Sequence, residues 1–243
     1  MKSTTPIRDL TAAARAGLSG NWGKTIGVML AYFVLLTGVS LIPVAGPVMQ
    51  FVFSAPMVVG MTAYLLATVR RQYNPFRLLF SGFNCFGTSF CTALLVMILL
   101  FVWMAPFVVL AVLAIVFVHP DPAVLPPLTL LAMGAILFLS ALFFMILIQM
   151  RYGLALFVVA DDPSVRARQA VRRSVELMKG NYWRLGLLWL RFIGWQILCV
   201  LTLGIGFIWL APYFMVATTA FYDDLAGSKQ TPGLKLAKYL GGL

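Results

Sequence analysis

From Thr25 to Val44 the chain reads TIGVMLAYFVLLTGVSLIPV, twenty residues without a charge. A helix needs about 20 such residues to cross a hydrocarbon core of about 30 Å. In water the same run would have to be buried on every side. Comparable runs follow at 48–68 (VMQFVFSAPMVVGMTAYLLAT), Phe86 to Val118, Leu128 to Met150, Leu185 to Gly204 and Phe207 to Phe221. Hydrophobic residues make up 62% of the 243 and charged residues 10%, with a mean hydropathy of +0.97. Soluble domains sit near half apolar and a quarter charged, and a chain of this length has too little interior to hide the excess. The sequence predicts an all-α polytopic membrane protein with six transmembrane helices.

Local signals join these runs. Ala45-Gly46-Pro47 is a tight, uncharged turn by composition, so the first two runs form a hairpin. The third is too long for one untilted span, and Pro106 removes a helix hydrogen bond within it; one long kinked helix is expected. HPDPAVLPP at 119–127 is a proline-rich loop, and the glycines of LGIG separate the last two runs. The first run is preceded by a segment of more than twenty residues that is polar overall, unlike a cleavable signal peptide. The first span is therefore expected to stay as an anchor.

Lys and Arg number 18 against 7 Asp and Glu, a net charge of +11. The bases sit at the ends of the apolar runs, not on a soluble face that could read a nucleic acid, so no nucleic-acid partner is expected. Lys2, Arg8, Arg15 and Lys24 precede the first run, and Arg70, Arg71 and Arg77 follow the second. Arg151, Arg166, Arg168, Arg172, Arg173, Lys179 and Arg184 lie between the fourth and fifth, and Lys229, Lys235 and Lys238 in the tail. The three connections on the other side carry none. The positive-inside rule then puts both termini in the cytoplasm.

Two short stretches repeat. GNWGK at 20–24 and GNYWR at 180–184 each stand where a charged segment meets an apolar one. Helix-like segments precede them, PIRDLTAAARAGLSG and PSVRARQAVRRSVELMKG; downstream, APMVVGMTAY at 55–64 is echoed by APYFMVATTAFY at 211–222. A fainter middle copy starts at LFSGF, residues 79–83, where MRYGLA echoes MTAYLL. The expected unit is a cytoplasmic amphipathic helix followed by a transmembrane hairpin. The chain is thus one membrane domain: a first unit with its connector at 1–84, a central hairpin at 85–162, a last unit at 163–226 and a cytoplasmic tail at 227–243. Every unit starts inside, unlike the inverted repeats of many transporters.

In each corner a glycine can take the left-handed backbone that ends a helix. Trp22, Tyr182 and Trp183 supply rings suited to headgroup level, and Lys24 and Arg184 can reach phosphate. The segment before GNYWR is expected to be capped by Asp161 or Asp162, with Pro163 near its first helical position. At 100° per residue, Ala167, Ala170, Val171, Ser174, Val175, Leu177 and Met178 share one face. Arg168, Gln169, Arg172, Arg173, Glu176 and Lys179 share the other. Such a helix can lie in the plane of an anionic inner leaflet, or its apolar face can pack on the protein's own spans.

Material for catalysis is sparse. His119 is the only histidine, so a histidine-containing metal cluster or nucleophile–histidine pair has nothing to build on. Cys85, Cys91 and Cys199 lack metal-ligand spacing and read as small packing residues. Asp161-Asp162 and Asp223-Asp224 could bind a divalent cation or serve in hydrolysis; helix capping or pairing with nearby arginines is the simpler role. No cofactor, metal site or enzymatic activity is expected. Arg191 is the one charge well inside a run, and intramembrane ionisable residues are candidates for function. It can pair, snorkel to the inner interface or contact a substrate, with Gln196 and Gln149 as potential polar neighbours.

RYGLALFVVADDP, AVRRSVELMKGNYWR, RFIGWQILCVLTLGIGFIWLAPY and FYDDL, with LSGNWGKTIG and LLFSGFNCFG earlier, resemble the bacterial membrane family called domain of unknown function 975. The likeness extends over most of the chain. It implies about six spans in a bacterial inner membrane and brings no catalytic residues with it. The family usually has a small polar residue where this chain has Arg191, an acidic one where it has Trp189, and a turn soon after the proline of span three. The function expected is non-enzymatic, in membrane organisation or as a scaffold or assembly partner for other membrane components. The alternative is a transporter or permease for a small molecule or anionic lipid.

Overall fold

A computed structural model describes residues 6–43, 45–117 and 127–227. Among them all regular structure is helical. The helices are α1 (Ile7–Leu18), α2 (Trp22–Ser40), α3 (Gly46–Val69), α4 (Phe86–Phe117), α5 (Pro127–Tyr152), α6 (Ala155–Asp161), α7 (Ala167–Met178), α8 (Tyr182–Leu201) and α9 (Phe207–Ala226). A 3-10 segment, Phe76–Cys85, leads into α4. The loop at 119–127 with His119, the N-terminal Lys2 and the lysines of the tail were expectations on positions outside the described residues, Pro127 apart.

Among the described residues, five helical stretches are long and apolar enough to cross a membrane: Trp22–Ser40, Gly46–Val69, Phe76–Leu113, Leu131–Asp161 and Tyr182–Leu201. The expected sixth, α9, is not among them. Its 20 residues include Pro212, two tyrosines, and Asp223 and Asp224 in the last turn, which dilute its apolar character. The third run behaves as expected in one respect: α4 continues through Pro106 to Phe117 as a single element.

Helix α3 is the axle. Of its apolar window 72% is buried by the rest of the chain, against none of the window in Phe76–Leu113. The axle touches α1, α2, α4, α6, α9 and the 3-10 segment. Its closest neighbour is that segment: a Cβ on Gly60 would overlap the Leu79 carbonyl, and one on Gly82 would overlap the Pro56 carbonyl. Backbone meets backbone there, which only glycine permits. Leu78 and Leu79 are buried by the contact. Outside this core, α4 and α5 are apolar around their circumference and expose residues such as Phe101 (68%) and Leu131 (70%). A helix apolar all round needs an apolar surround, and a bilayer supplies it.

The two Gly-Asn-aromatic corners share one backbone path. Gly20 and Gly180 have φ of 79° and 82°. Asn21 follows at φ −122°, ψ 10° and Asn181 at φ −115°, ψ 2°. In each, the asparagine N–H donates to the last helical carbonyl before the turn, Leu18 or Met178, at 2.9 Å. The buried Asn181 also donates its amide to the Leu177 carbonyl at 3.0 Å, satisfying an end-of-helix acceptor. Each corner turns a 12-residue helix, α1 or α7, into a long apolar one, α2 or α8.

One local expectation needs correction. A short helix, α6, precedes α7, and Asp161 is its last residue, not a cap for α7. Helix α7 starts later, with Arg166 as N-cap, and the Gln169 side-chain oxygen accepts the Arg166 backbone N–H at 3.3 Å. Asp162 instead accepts from the Ser164 backbone and hydroxyl, at 3.3 and 2.6 Å. The apolar face of α7 takes the second of its two expected settings, against the protein's own helices. It packs on α4, α5 and α6, burying Ala170, Val171, Ser174 and Met178, with the Ser174 hydroxyl donating to the Arg151 carbonyl at 3.0 Å. Only the basic face is left outward.

Candidate functional site

The end of α3 is built around an arginine. The chain leaves the helix through Arg71 at φ 53°. The Gln72 N–H returns to the Ala67 carbonyl at 2.9 Å and the Arg71 N–H to Thr68 at 3.2 Å, the pairing of a Schellman turn. Arg70, held at the cap, sends its guanidinium between two acids. Its Nη1 meets Asp161 Oδ1 at 2.8 Å, while Nε and Nη2 meet Asp223 Oδ1 at 2.8 and 2.7 Å. Burial disfavours the Arg70 cation, but the two carboxylates outweigh it and raise its pKa. The Tyr222 hydroxyl donates to Asp161 Oδ2 at 3.4 Å. Alongside, Arg184 approaches Asp224 Oδ2 at 3.6 Å and lies 6.0 Å from the Phe221 ring centroid. One knot thus joins the ends of α3, α6 and α9 to the start of α8. Asp161, Asp223 and Asp224 meet arginines, and no group of three carboxylates, cysteines or histidines forms a metal site among the described residues.

Inward of the knot is a cavity of about 270 Å³, bounded by α2, α3, α5, α6, α8 and α9. Its walls are mostly apolar: Met61, Leu65, Met150, Phe157, Phe214 and their neighbours. The hydroxyls of Thr62 and Thr218 are turned to their own helices, at 2.8 Å from the Val58 carbonyl and 3.0 Å from that of Phe214. Trp189 also lines this space, and its buried Nε1 has no hydrogen-bond partner among the described residues.

A family profile described as "Protein of unknown function (DUF975)" matches residues 1–229. The chain belongs to that family. No curated protein and no solved structure matches it.

In this DUF975 member the sequence-derived site residues separate into three groups. Lys24, Arg168, Arg172, Lys179 and Trp183 are exposed, with Arg173, Tyr182 and Trp22 half-buried. Arg184, expected to extend to lipid phosphate, turns inward to Asp224 because an acid lies within reach. The polar residues Arg191, Gln196 and Gln149 do not share a site. Gln149 lines the interior cavity, whereas Arg191 lines a separate cleft with Arg15 and Trp22. Gln196, five residues beyond Arg191, points about 140° away around the helix and is exposed. Arg70 was not singled out beforehand as a site residue. Its visible signal is an arginine at the end of one apolar run in a chain whose two aspartate pairs end two others. Sequence alone cannot show that these ends converge.

Proposed function

We propose that this DUF975 protein is a non-enzymatic, six-span protein of the bacterial inner membrane that organises or helps assemble other membrane components. Both termini are cytoplasmic in this reading, and α9 is the sixth span through its apolar part, Phe207 to Phe221. The outward face of α7, with Arg168, Arg172, Arg173 and Lys179, is presented to anionic headgroups or to an acidic segment of a membrane-protein partner. The interior cavity carries the argument. Its walls are mostly apolar and its threonine hydroxyls are satisfied by their own helices, a poor path for a polar solute. The knot supports the same reading, since Arg70 holds its acids in contacts of 2.7 to 2.8 Å instead of leaving them open to an ion. A permease is favoured by one observation only, the unpartnered Trp189 Nε1 beside Gln149 in that cavity.

The test is quantitative co-purification of the full chain in mild detergent, paired with solute flux in proteoliposomes. A partner protein recovered at constant ratio, and lost on Arg172→Glu/Arg173→Glu, is the expected result. Saturable flux that depends on the protein and is blocked by Met61→Trp within the cavity would replace this reading with the permease.

A further inference from the structure

Arg15, in the last turn of α1, and Arg191, in the third turn of α8, line one cleft of about 340 Å³ together with Trp22, Trp195 and Tyr213. Arg15 donates its Nε to the Thr11 carbonyl at 3.4 Å. Among the described residues neither guanidinium has a carboxylate partner, in contrast to Arg70 and Arg184. Both residues are exposed, and two like charges lining one cleft repel each other. An anion seated between the two guanidiniums would offset that repulsion.

The rest of the cleft says what kind of anion. A second cavity, of about 360 Å³, adjoins the first through shared walls at Trp22, Trp195 and Tyr213 and continues along Leu198 and Trp209 with no charged residue lining it. The floor of the first cleft is firm: Phe192, 2% exposed, packs edge-on against Tyr213 with centroids 5.1 Å apart. One end is therefore doubly cationic, the middle is ringed by tryptophans of the type found at headgroup level, and the far end is apolar. A free phosphate would use only the cationic end. An amphiphile with an anionic head matches all of it, and planar guanidinium forks are the side chains best shaped to hold a phosphate.

We propose that this cleft binds one anionic phospholipid, its phosphate between Arg15 and Arg191 and an acyl chain along Trp195, Leu198 and Trp209. The site is distinct from the basic face of α7. Assignment to the cytoplasmic leaflet rests on the orientation proposed above; the site itself does not.

The experiment is native mass spectrometry of the full chain in detergent, titrated with phosphatidylglycerol and with phosphatidylcholine of the same chains. One phosphatidylglycerol should persist under activation that strips phosphatidylcholine. Arg15→Gln and Arg191→Gln should each weaken its retention about tenfold, and Arg191→Lys, which keeps a charge for the phosphate, should keep the preference. Leu198→Trp, which leaves both arginines in place, should also expel the lipid by filling the apolar end. Arg172→Gln/Arg173→Gln should leave this adduct unchanged. Equal retention of the two lipids, or an adduct that survives Arg15→Gln/Arg191→Gln, overturns the proposal. Polar-solute flux in proteoliposomes would overturn the organising function and leave this site standing, so the two failures are separable.

Discussion

Replacing Arg70 with methionine removes a cation that faces two aspartates while keeping a stem of similar length. Three guanidinium contacts at 2.7 to 2.8 Å are lost, and Asp161, 6% exposed, is left as a buried carboxylate without its counter-charge. Breaking a buried ion pair from one side costs about 3–5 kcal/mol. Arg70 itself is 26% exposed, so water reaches the pair and about 3 kcal/mol is the better expectation. At about 2–4 °C per kcal/mol for a chain of this size, the midpoint should fall on the order of 10 °C. The assay is thermal unfolding in one detergent at fixed lipid content, with Arg70→Lys alongside. Lysine offers a point charge that cannot fork to both acids and should fall between wild type and methionine. Adding Asp161→Asn and Asp223→Asn to Arg70→Met should recover much of the loss, because the isolated charges are then gone. A methionine variant that melts with the wild type, or acid replacements that deepen its loss, would refute the knot as the clasp of the bundle.

Other consequences follow from local geometry. Gly82→Ala puts a methyl group onto the Pro56 carbonyl, and Gly60→Ala onto that of Leu79. Since backbone cannot yield as a side chain can, each should cost at least the roughly 1–3 kcal/mol of overpacking, seen as a lowered melting midpoint. Gly180→Ala forces a side chain onto φ 82° and should cost about 1–2 kcal/mol, whereas Gly180→Asn, which tolerates that region, should cost less in the same melt. By contrast, Arg172→Ala breaks a pair whose partners are 83% and 61% exposed, and its effect should stay within about 0.5 kcal/mol.

What was legible in the sequence was what depends on neighbours along the chain. The long apolar runs, the uncharged hairpin turn and the left-handed glycines of the two corners each follow from a local rule, and Gly20 and Gly180 take the conformation read for them. What was not legible depends on convergence. The 3-10 segment exists because Gly82 and Gly60 let it press onto α3, and nothing in FRLLFSGFNC alone announces that partner. The turn after α3 hides for a different reason: Arg71 takes the left-handed position where glycine is usual. Asp161 looked like a cap because it precedes a proline and a basic segment, but α6 comes first and delivers it to Arg70. The polar residues Arg191, Gln149 and Gln196 looked like one site because they share an apolar background. Helix rotation and packing assign Arg191 and Gln149 to different cavities.

Sidedness decides the proposed function, in which the knot, α1 and α7 form one cytoplasmic face. The direct measurement is labelling of single cysteines by a membrane-impermeant thiol reagent in intact cells, with Cys85, Cys91 and Cys199 replaced by serine. Pro122→Cys, in the connection without lysine or arginine, should react from the periplasmic side, and Gln169→Cys, on the outward face of α7, should react only after the membrane is permeabilised. Reaction at 169 in intact cells, with 122 protected until permeabilisation, would contradict it.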